Sequence, residues 1–283
     1  MKIFKNPGSF QKYCLSVKKK GTVGFVPTMG CLHEGHLSLI RKSKKTCNKT
    51  VVSIFVNPIQ FGPKEDFHRY PRPLKNDLSL CRREKADAVF IPENKGFYGD
   101  DFSIHIQETR LSSGFCGEFR PGHFSGVLTV VAKLLNCSQP DYVFMGQKDY
   151  QQCLVIRRLM QNLNFPVTLM MCPTVREKSG LAMSSRNQYL SPTEKKDAAL
   201  IHQALRKTQH SYRQQTAKFR GKKWKQLRND LRSMLRRINN FVPQYVEIVN
   251  AETLEKPDNK TEKTVALIAG FLGKTRLIDN IIL

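Results

Sequence analysis

A doubly wound, Rossmann-like parallel sheet with a second, smaller α+β domain is the fold class this chain of 283 residues predicts. Three observations carry it. Short β-branched apolar runs alternate with longer amphipathic stretches as far as Cys172, the pattern of a parallel sheet with crossover helices. Past Pro173 that alternation stops and a polar loop opens. Finally, no apolar run approaches the ~18 residues of a membrane span, and the start of the chain lacks the apolar stretch of a signal peptide.

The expected strands of the first domain are Val23–Val26, Val51–Val56, Ala88–Ile91, Tyr142–Met145 and Val167–Cys172. The expected helices are Leu37–Lys45, Leu74–Lys85, Phe124–Leu135 and Tyr150–Leu163. "FSIHIQE", Phe102 to Glu108, alternates in hydropathy and predicts an added strand. The boundary falls near Thr174, dividing residues 1–174, the Rossmann-like domain, from residues 175–283, a smaller α+β domain. In the second part "SPTEKK" opens a helix, with Ser191 as N-cap, Pro192 at the first position and Glu194 completing a capping box. "YVEIVNAETLE" and "TVALIAGFLGKTRLIDNIIL" read as terminal strands.

The eight cysteines are scattered with no C-x-x-C pair, which argues against zinc and redox motifs and for the reducing cytosol. The net charge of +24 raises a nucleic-acid partner. Arg206 to Arg237 holds twelve Lys and Arg against one acid, Asp230. Within it Trp224, Leu227, Leu231, Leu235 and Ile238 recur at helical spacing. The charge is therefore the solvated face of an amphipathic helix rather than a groove for nucleic acid.

Open α/β sheets bind ligands beyond the carboxyl ends of their strands, so the loops there are the candidates. The first, "PTMGCLHEGH", places His33 and His36 in the first turn of a helix, three residues apart and on one face. Its spacing does not fit the zincin pattern, which needs two residues between the glutamate and the second histidine. A phosphate site fits better: a helix start offers unpaired amides and a positive dipole, and Gly30 lets the backbone approach. The loop after Met145, "GQKDYQQ", supplies a turn at Gly146, the charge of Lys148, a cap in Asp149, and directional amides in Gln151 and Gln152, one of them expected to face solvent. "LAMSSRN" brings the hydroxyls of Ser184 and Ser185 beside the guanidinium of Arg186, suited to phosphoryl oxygens. After the second strand, Asn57, Gln60 and Tyr70 stand among Phe55, Pro58, Ile59 and Phe61, a pattern for a small-ligand pocket. "RPGHFSGV" sets His123 at a helix start, where capping competes with ligand contact.

"PTMGCLHEGH", "FVNPIQFG", "YPR", "RPGHFSGV", "GQKDYQQ", "GLAMSSRN" and "GKTRLIDNI" occur in one order from about Lys20 onward. In that order they resemble the pantoate–β-alanine ligase family of the nucleotidylyl-transferase superfamily, whose signature is a HIGH-type loop. The resemblance implies an ATP-dependent, AMP-forming ligase that condenses (R)-pantoate with β-alanine through pantoyl adenylate, in pantothenate and coenzyme A biosynthesis. It implies that His36 donates a proton to the leaving group, with His33 and Lys148 beside it. By the same resemblance ATP is held by Met29, Gly30, Cys31, Leu32, His33, Glu34, Gly35 and His36, by Gly146, Gln147, Lys148 and Asp149, and by Val175, Met183, Ser184, Ser185 and Arg186. Gln60 bridges pantoate and β-alanine, Gln152 contacts pantoate, and Asn57, Tyr70 and His123 line the substrate pocket. ATP brings Mg²⁺, with Asp77 as an outer ligand, and the family forms homodimers through the nucleotide-binding domain in the cytoplasm. Cys31 departs from the family in a position that usually holds a small or amide residue. The competing classes are another adenylyl- or cytidylyl-transferase of the superfamily, and a nucleic-acid-binding module built on the basic segment.

Overall fold

In a computed structural model, which describes residues 1–214, 224–258 and 263–283, the chain forms two compact units. The first comprises residues 1–147 and 151–173, the second residues 148–150 and 174–283.

The first unit is built on a six-stranded sheet: β1 (Lys2–Phe4), β2 (Val23–Thr28), β3 (Lys49–Ile54), β4 (Ala88–Phe90), β5 (Tyr142–Gly146) and β6 (Thr168–Cys172). Every pairing is parallel, in the order β1-β4-β3-β2-β5-β6. Parallel strands need crossovers, and the chain supplies α1 (Pro7–Lys18), α2 (Glu34–Thr46), α3 (Leu74–Arg83), α4 (Asn94–Tyr98), α5 (Cys116–Phe119), α6 (His123–Ser138) and α7 (Tyr150–Asn162). Val26, Val52 and Val89 lie side by side in register. They pack under Leu37 and Ile40 of α2 and Cys81 of α3. Successive residues of a strand face opposite ways, so Phe90 points to the other face. There Phe10 of α1 stacks on it, ring centroids 4.4 Å apart. Each face is thus closed by helices, which is why the strands read as continuous apolar runs rather than alternating ones.

One local expectation fails. Residues 102–108 form no strand. The amide of Ile106 donates to Thr129 Oγ1 of α6 instead of to a strand edge, 3.0 Å away, and Ile104 is 72% exposed. The alternation that suggests a strand belongs to an extended segment laid over a helix. Conversely, the edge strand β1 and the helix α1 carry too little periodicity to be read from the sequence. The thiols of Cys14 and Cys81 sit in this core, and burial pushes both up to about 12.

The second unit holds an antiparallel sheet, β7 (Phe241–Asn250), β8 (Thr264–Leu272) and β9 (Thr275–Ile282), in that order. Helices α8 (Pro192–Arg213) and α9 (Trp224–Arg236) pack on it. The capping box at Ser191 and Glu194 is present. Trp224, Leu227, Leu231, Leu235 and Ile238 are all buried, so the apolar face of the basic helix is core. Lys222 and Lys223 of the basic segment lie outside the described residues.

One charged group of the first unit gives a pH test. Asp87 accepts from Lys44 Nζ (2.9 Å), Lys49 Nζ (3.0 Å) and the Thr50 amide (2.9 Å). Burial alone would raise its carboxyl, but the Thr50 amide and the two lysines outweigh it and hold it below the usual range. A carboxylate lowered on folding contributes stability that is complete above its unfolded pKa of about 4 and is lost as pH falls through the lowered value. Asp87→Asn is expected to flatten the fall of the urea midpoint between about pH 5 and pH 2; an unchanged acid slope would assign that fall to other carboxylates.

Candidate active site

The strand order reverses between β2 and β5, which are neighbours but lead to opposite halves of the sheet. A crevice opens at such a point because the two following connections diverge to opposite faces. The connection after β2 brings His33 to the cap of α2 and His36 to its first turn, and β5 ends at Gly146, followed by Gln147.

The β2–α2 loop is tightly specified. Gly30 has φ +79° and Cys31 φ +50°, two successive residues in the left-handed region. Asp77, at the start of α3, accepts from the Cys31 and Leu32 amides, both at 2.8 Å. Thr28 Oγ1 accepts from the Gly30 amide and donates to Ser53 O. The chain then enters α2 with His33 as N-cap and His36 at the third position of a capping box. His33 Nδ1 accepts from the Gly35 amide (3.1 Å), and His36 Nδ1 accepts from the His33 amide (3.3 Å). The rings lie 4.1 Å apart. A neutral imidazole that accepts at Nδ1 carries its proton on Nε2. The backbone therefore sets both tautomers, and each histidine presents Nε2–H as its donor at a helix N-terminus, the arrangement that suits a phosphate. Glu34 pairs with Arg41, which also reaches Glu84 at 3.1 Å, so its side chain belongs to the helix surface.

Beside this loop lies a cluster of buried polar groups around Gln60. Gln60 ends a short 3-10 turn, Pro58–Gln60, and is buried. Its Nε2 donates to the thioether of Met29 at 3.1 Å, joining the cluster to the histidine loop. The sequence sets Asn57 among the pocket-lining groups, but it is 1% exposed and occupied by protein. Its amide donates to Gln60 Oε1 (3.0 Å) and Gly126 O (3.1 Å), and its Oδ1 accepts from Tyr98 OH (2.6 Å). Asn57 thus orients Gln60, leaving the Gln60 Nε2–H as the group that can turn to a ligand. Tyr98 carries no signal in the sequence, because its partner is 41 residues away; burial raises its phenol above the usual range. Tyr70 is buried with its ring edge-on to Phe61. His123 is buried at the first position of α6, behind Gly122 at φ +80°. Its Nδ1 lies 2.9 Å from Gln60 O, and its Nε2 lies 2.8 Å from Arg120 Nη1. Arg120 in turn makes a bidentate pair with Glu65, at 2.6 and 2.7 Å. Helix α6 reaches the 3-10 turn only because residue 126 is glycine: a Cβ there would stand 2.3 Å from Ile59 O and 2.6 Å from Gln60 Cα.

Gln151 and Gln152 divide as a buried and a half-buried residue. The Gln151 side chain accepts from the Cys116 amide (3.0 Å) and donates to Leu111 O (2.8 Å) and Gly114 O (2.9 Å). It braces the turn before α5, where Phe115 has φ +53°. Asp77 requires a correction as a metal ligand. It is 1% exposed and both its oxygens are taken by backbone amides. Burial raises its carboxyl above the usual range despite the Leu32 and Cys31 amides. No cluster of three or more His, Cys, Asp or Glu side chains suited to a metal occurs among the described residues.

In the second unit Val175 and Met183 are brought together: the Met183 amide donates to Val175 O at 3.0 Å, in a hairpin that turns at Gly180. The hairpin delivers Ser184 as the cap of a 3-10 helix, Ser185–Tyr189, that contains Arg186. Asn187 ties it by donating to Glu177 Oε1 and Ala182 O. Lys148 and Asp149 belong to this unit, and Lys148 O accepts from Asn280 Nδ2 at 3.0 Å.

The family model described as pantoate-beta-alanine ligase matches residues 2–282. The chain belongs to the pantoate–β-alanine ligase family. It is 49% identical to the pantothenate synthetase of Sulfurihydrogenibium sp. (strain YO3AOP1), with 99% of each chain covered. It is 48% identical to that of Pseudothermotoga lettingae, covering 100% of this chain and 99% of the relative. Among solved structures, the pantothenate synthetase of Thermus thermophilus superposes with a TM-score of 0.90 at 38% identity, with 99% of each chain covered. A Francisella tularensis pantoate–β-alanine ligase, complexed with beta-gamma ATP and β-alanine, gives 0.81 at 35% identity over 100% of this chain and 97% of that one. The ligase family's six-stranded parallel sheet and small antiparallel sheet are those described above.

Two substitutions test the geometry of this ligase. Asp77→Ala should lower the rate of adenylate formation about 10–100-fold at every Mg²⁺ concentration, because it frees the loop that carries His33 and His36. A variant whose rate recovers when Mg²⁺ is raised would return Asp77 to metal binding. Gly126→Ala should cost about 1–3 kcal/mol in denaturant unfolding, the penalty of overpacking against backbone, and should weaken pantoate more than ATP. Equal weakening of both ligands would contradict the assignment of the turn at Gln60 to the acid substrate.

Proposed function

We propose that the histidine loop after β2 performs the first half of the ligase reaction, transfer of the adenylyl group of ATP to the carboxylate of (R)-pantoate. The chain is a pantoate–β-alanine ligase, and the reaction runs in two steps. A carboxylate oxygen of pantoate attacks the α-phosphorus, the bond to the bridging oxygen breaks, and pyrophosphate leaves. The amine of β-alanine, after losing a proton, attacks the acyl carbon of pantoyl adenylate, and AMP leaves with the electron pair of the mixed anhydride.

The observation that carries this reading is the backbone-fixed tautomer pair of His33 and His36. A carboxylate is a weak nucleophile meeting an already anionic centre. Catalysis therefore depends on donors that are in place before charge builds on the leaving pyrophosphate. Two Nε2–H groups at the N-terminus of α2 supply them without any reorganisation of the backbone. His36 is assigned the proton donation, with His33 beside it. The amides of residues 29–36, with Gly146 and Gln147, are assigned to the nucleotide. Lys148, Asp149, Val175, Met183, Ser184, Ser185 and Arg186 are assigned to the same ligand. Gln60 and Gln152 are assigned to the acid substrate, with Tyr70 at its pocket wall; Gln60 also meets β-alanine. Mg²⁺ enters on the phosphates of ATP, in keeping with its preference for phosphate oxygens and water over an all-protein cage. A homodimer joined through the nucleotide-binding unit and a cytoplasmic location complete the proposal. No described helix is long and apolar enough to cross a membrane.

The test is exchange of labelled pyrophosphate into ATP with pantoate alone. Exchange is expected without β-alanine, and exchange that needs β-alanine would defeat the two-step scheme. In the same assay His36→Ala should lose about 10²–10⁴-fold, the range for a positioned donor. Preformed pantoyl adenylate should restore the second step in that variant.

A further inference from the structure

We infer that His123 acts as a neutral imidazole protonated on Nδ1 that positions Gln60, and that the Arg120–Glu65 pair holds it in that state. The inference rests on the assignment of Gln60 to the acid substrate, and it removes His123 from the substrate-lining residues.

Hydrogen-bond chemistry decides the protonation. Arg120 Nη1 stands 2.8 Å from His123 Nε2, and a guanidinium has donors only. Nε2 must therefore accept, and it carries no proton. On the other side Nδ1 stands 2.9 Å from Gln60 O, and a carbonyl oxygen only accepts. Nδ1 must donate. An imidazolium would place N–H against N–H at Arg120, so the charged form is excluded while that contact stands. Glu65 keeps the guanidinium in place: its oxygens receive Arg120 Nε at 2.6 Å and Nη2 at 2.7 Å, and the Gly62 amide donates to Glu65 Oε2 at 3.3 Å. Arg120 and Glu65 are the charged groups that these contacts place against the imidazole. Burial would raise the Glu65 carboxyl, but the hydrogen bonds and charge of Arg120 hold it below the usual range.

The four residues close a ring. Gln60 ends the 3-10 turn and Glu65 follows it, Arg120 is the C-cap residue of α5 and His123 begins α6, and the two segments are clasped at both ends. His123 thus fixes the main chain of Gln60 while Asn57 fixes its side chain. This is the opposite tautomer from that of His33 and His36, where Nδ1 accepts and Nε2 carries the proton. Arg120 at Nε2 makes His123 unsuitable as an acid or base.

The experiment is ¹⁵N NMR of the histidine side chains in the full chain at neutral pH, with His123 assigned by correlation to its own backbone, which needs no variant. The expected result is a neutral ring with the proton on Nδ1. A proton on Nε2, or on both nitrogens, would overturn the inference. Kinetics give a second readout. His123→Ala should raise KM for pantoate about tenfold, the worth of one buried hydrogen bond, and leave KM for ATP within about twofold. His123→Asn, whose amide N–H stands near the place of Nδ1–H, should recover most of that loss. A kcat loss of about 10²-fold or more shared by both variants would make His123 a catalytic group. Absence of pantothenate formation by the unmodified chain would defeat the functional proposal while leaving the NMR result to judge the tautomer.

Discussion

The carboxylate of Asp77 accepts from two consecutive amides, those of Cys31 and Leu32, at the point where the chain leaves β2 in the left-handed region. Left-handed backbone at a residue other than glycine costs free energy unless the surroundings fix it. Here a buried carboxylate does so, and it is itself satisfied by the amides it fixes. Everything downstream follows from that turn. It directs the chain into α2 at His33, which lets His33 cap the helix, which in turn brings His36 back to the His33 amide. The tautomers of two imidazoles, and hence the side of each ring that can donate to a phosphate, are consequences of how one aspartate holds the backbone.

The polar cluster around Gln60 is held together by different means. Its central amide, Gln60, is held at the side chain by Asn57, at the carbonyl by His123, and against Met29 of the histidine loop. Buried polar groups are stable only when their partners are present, so this network has few alternatives. Gly126 is its steric counterpart, since the backbone of Ile59 and Gln60 occupies the space a Cβ would need. Asn57 and His123, gathered there, make their hydrogen bonds to other protein groups.

The net charge of +24 is carried by lysines and arginines in several settings. On α9 the apolar stripe is core, Arg228 pairs with Glu247 at 3.2 Å, and Gln226 pairs with Asp230. On the sheet side, Lys44 and Lys49 converge on Asp87. Arg228, Lys44 and Lys49 are thus locally paired, and the remaining basic residues of α9 stand opposite its buried apolar stripe.

The sequence by itself determined the fold class, five of the six strands of the parallel sheet, the capping box at Ser191, and the place of H-x-G-H at a strand-to-helix junction. These are local properties: hydropathy period, capping chemistry and glycine placement act within a few residues. Only the tertiary structure decided the rest. Asp77 lies 46 residues from Cys31, Tyr98 41 from Asn57, Glu65 55 from Arg120, and His123 63 from Gln60. No periodicity links such pairs, so the sequence showed polar residues in loops and could not say which face a ligand and which face each other. Asp77, Asn57 and Gln151 changed from ligand-facing candidates to supports for that reason. A buried hydrogen bond is satisfied by whichever partner the packing brings within about 3 Å, and that choice is made by the fold as a whole.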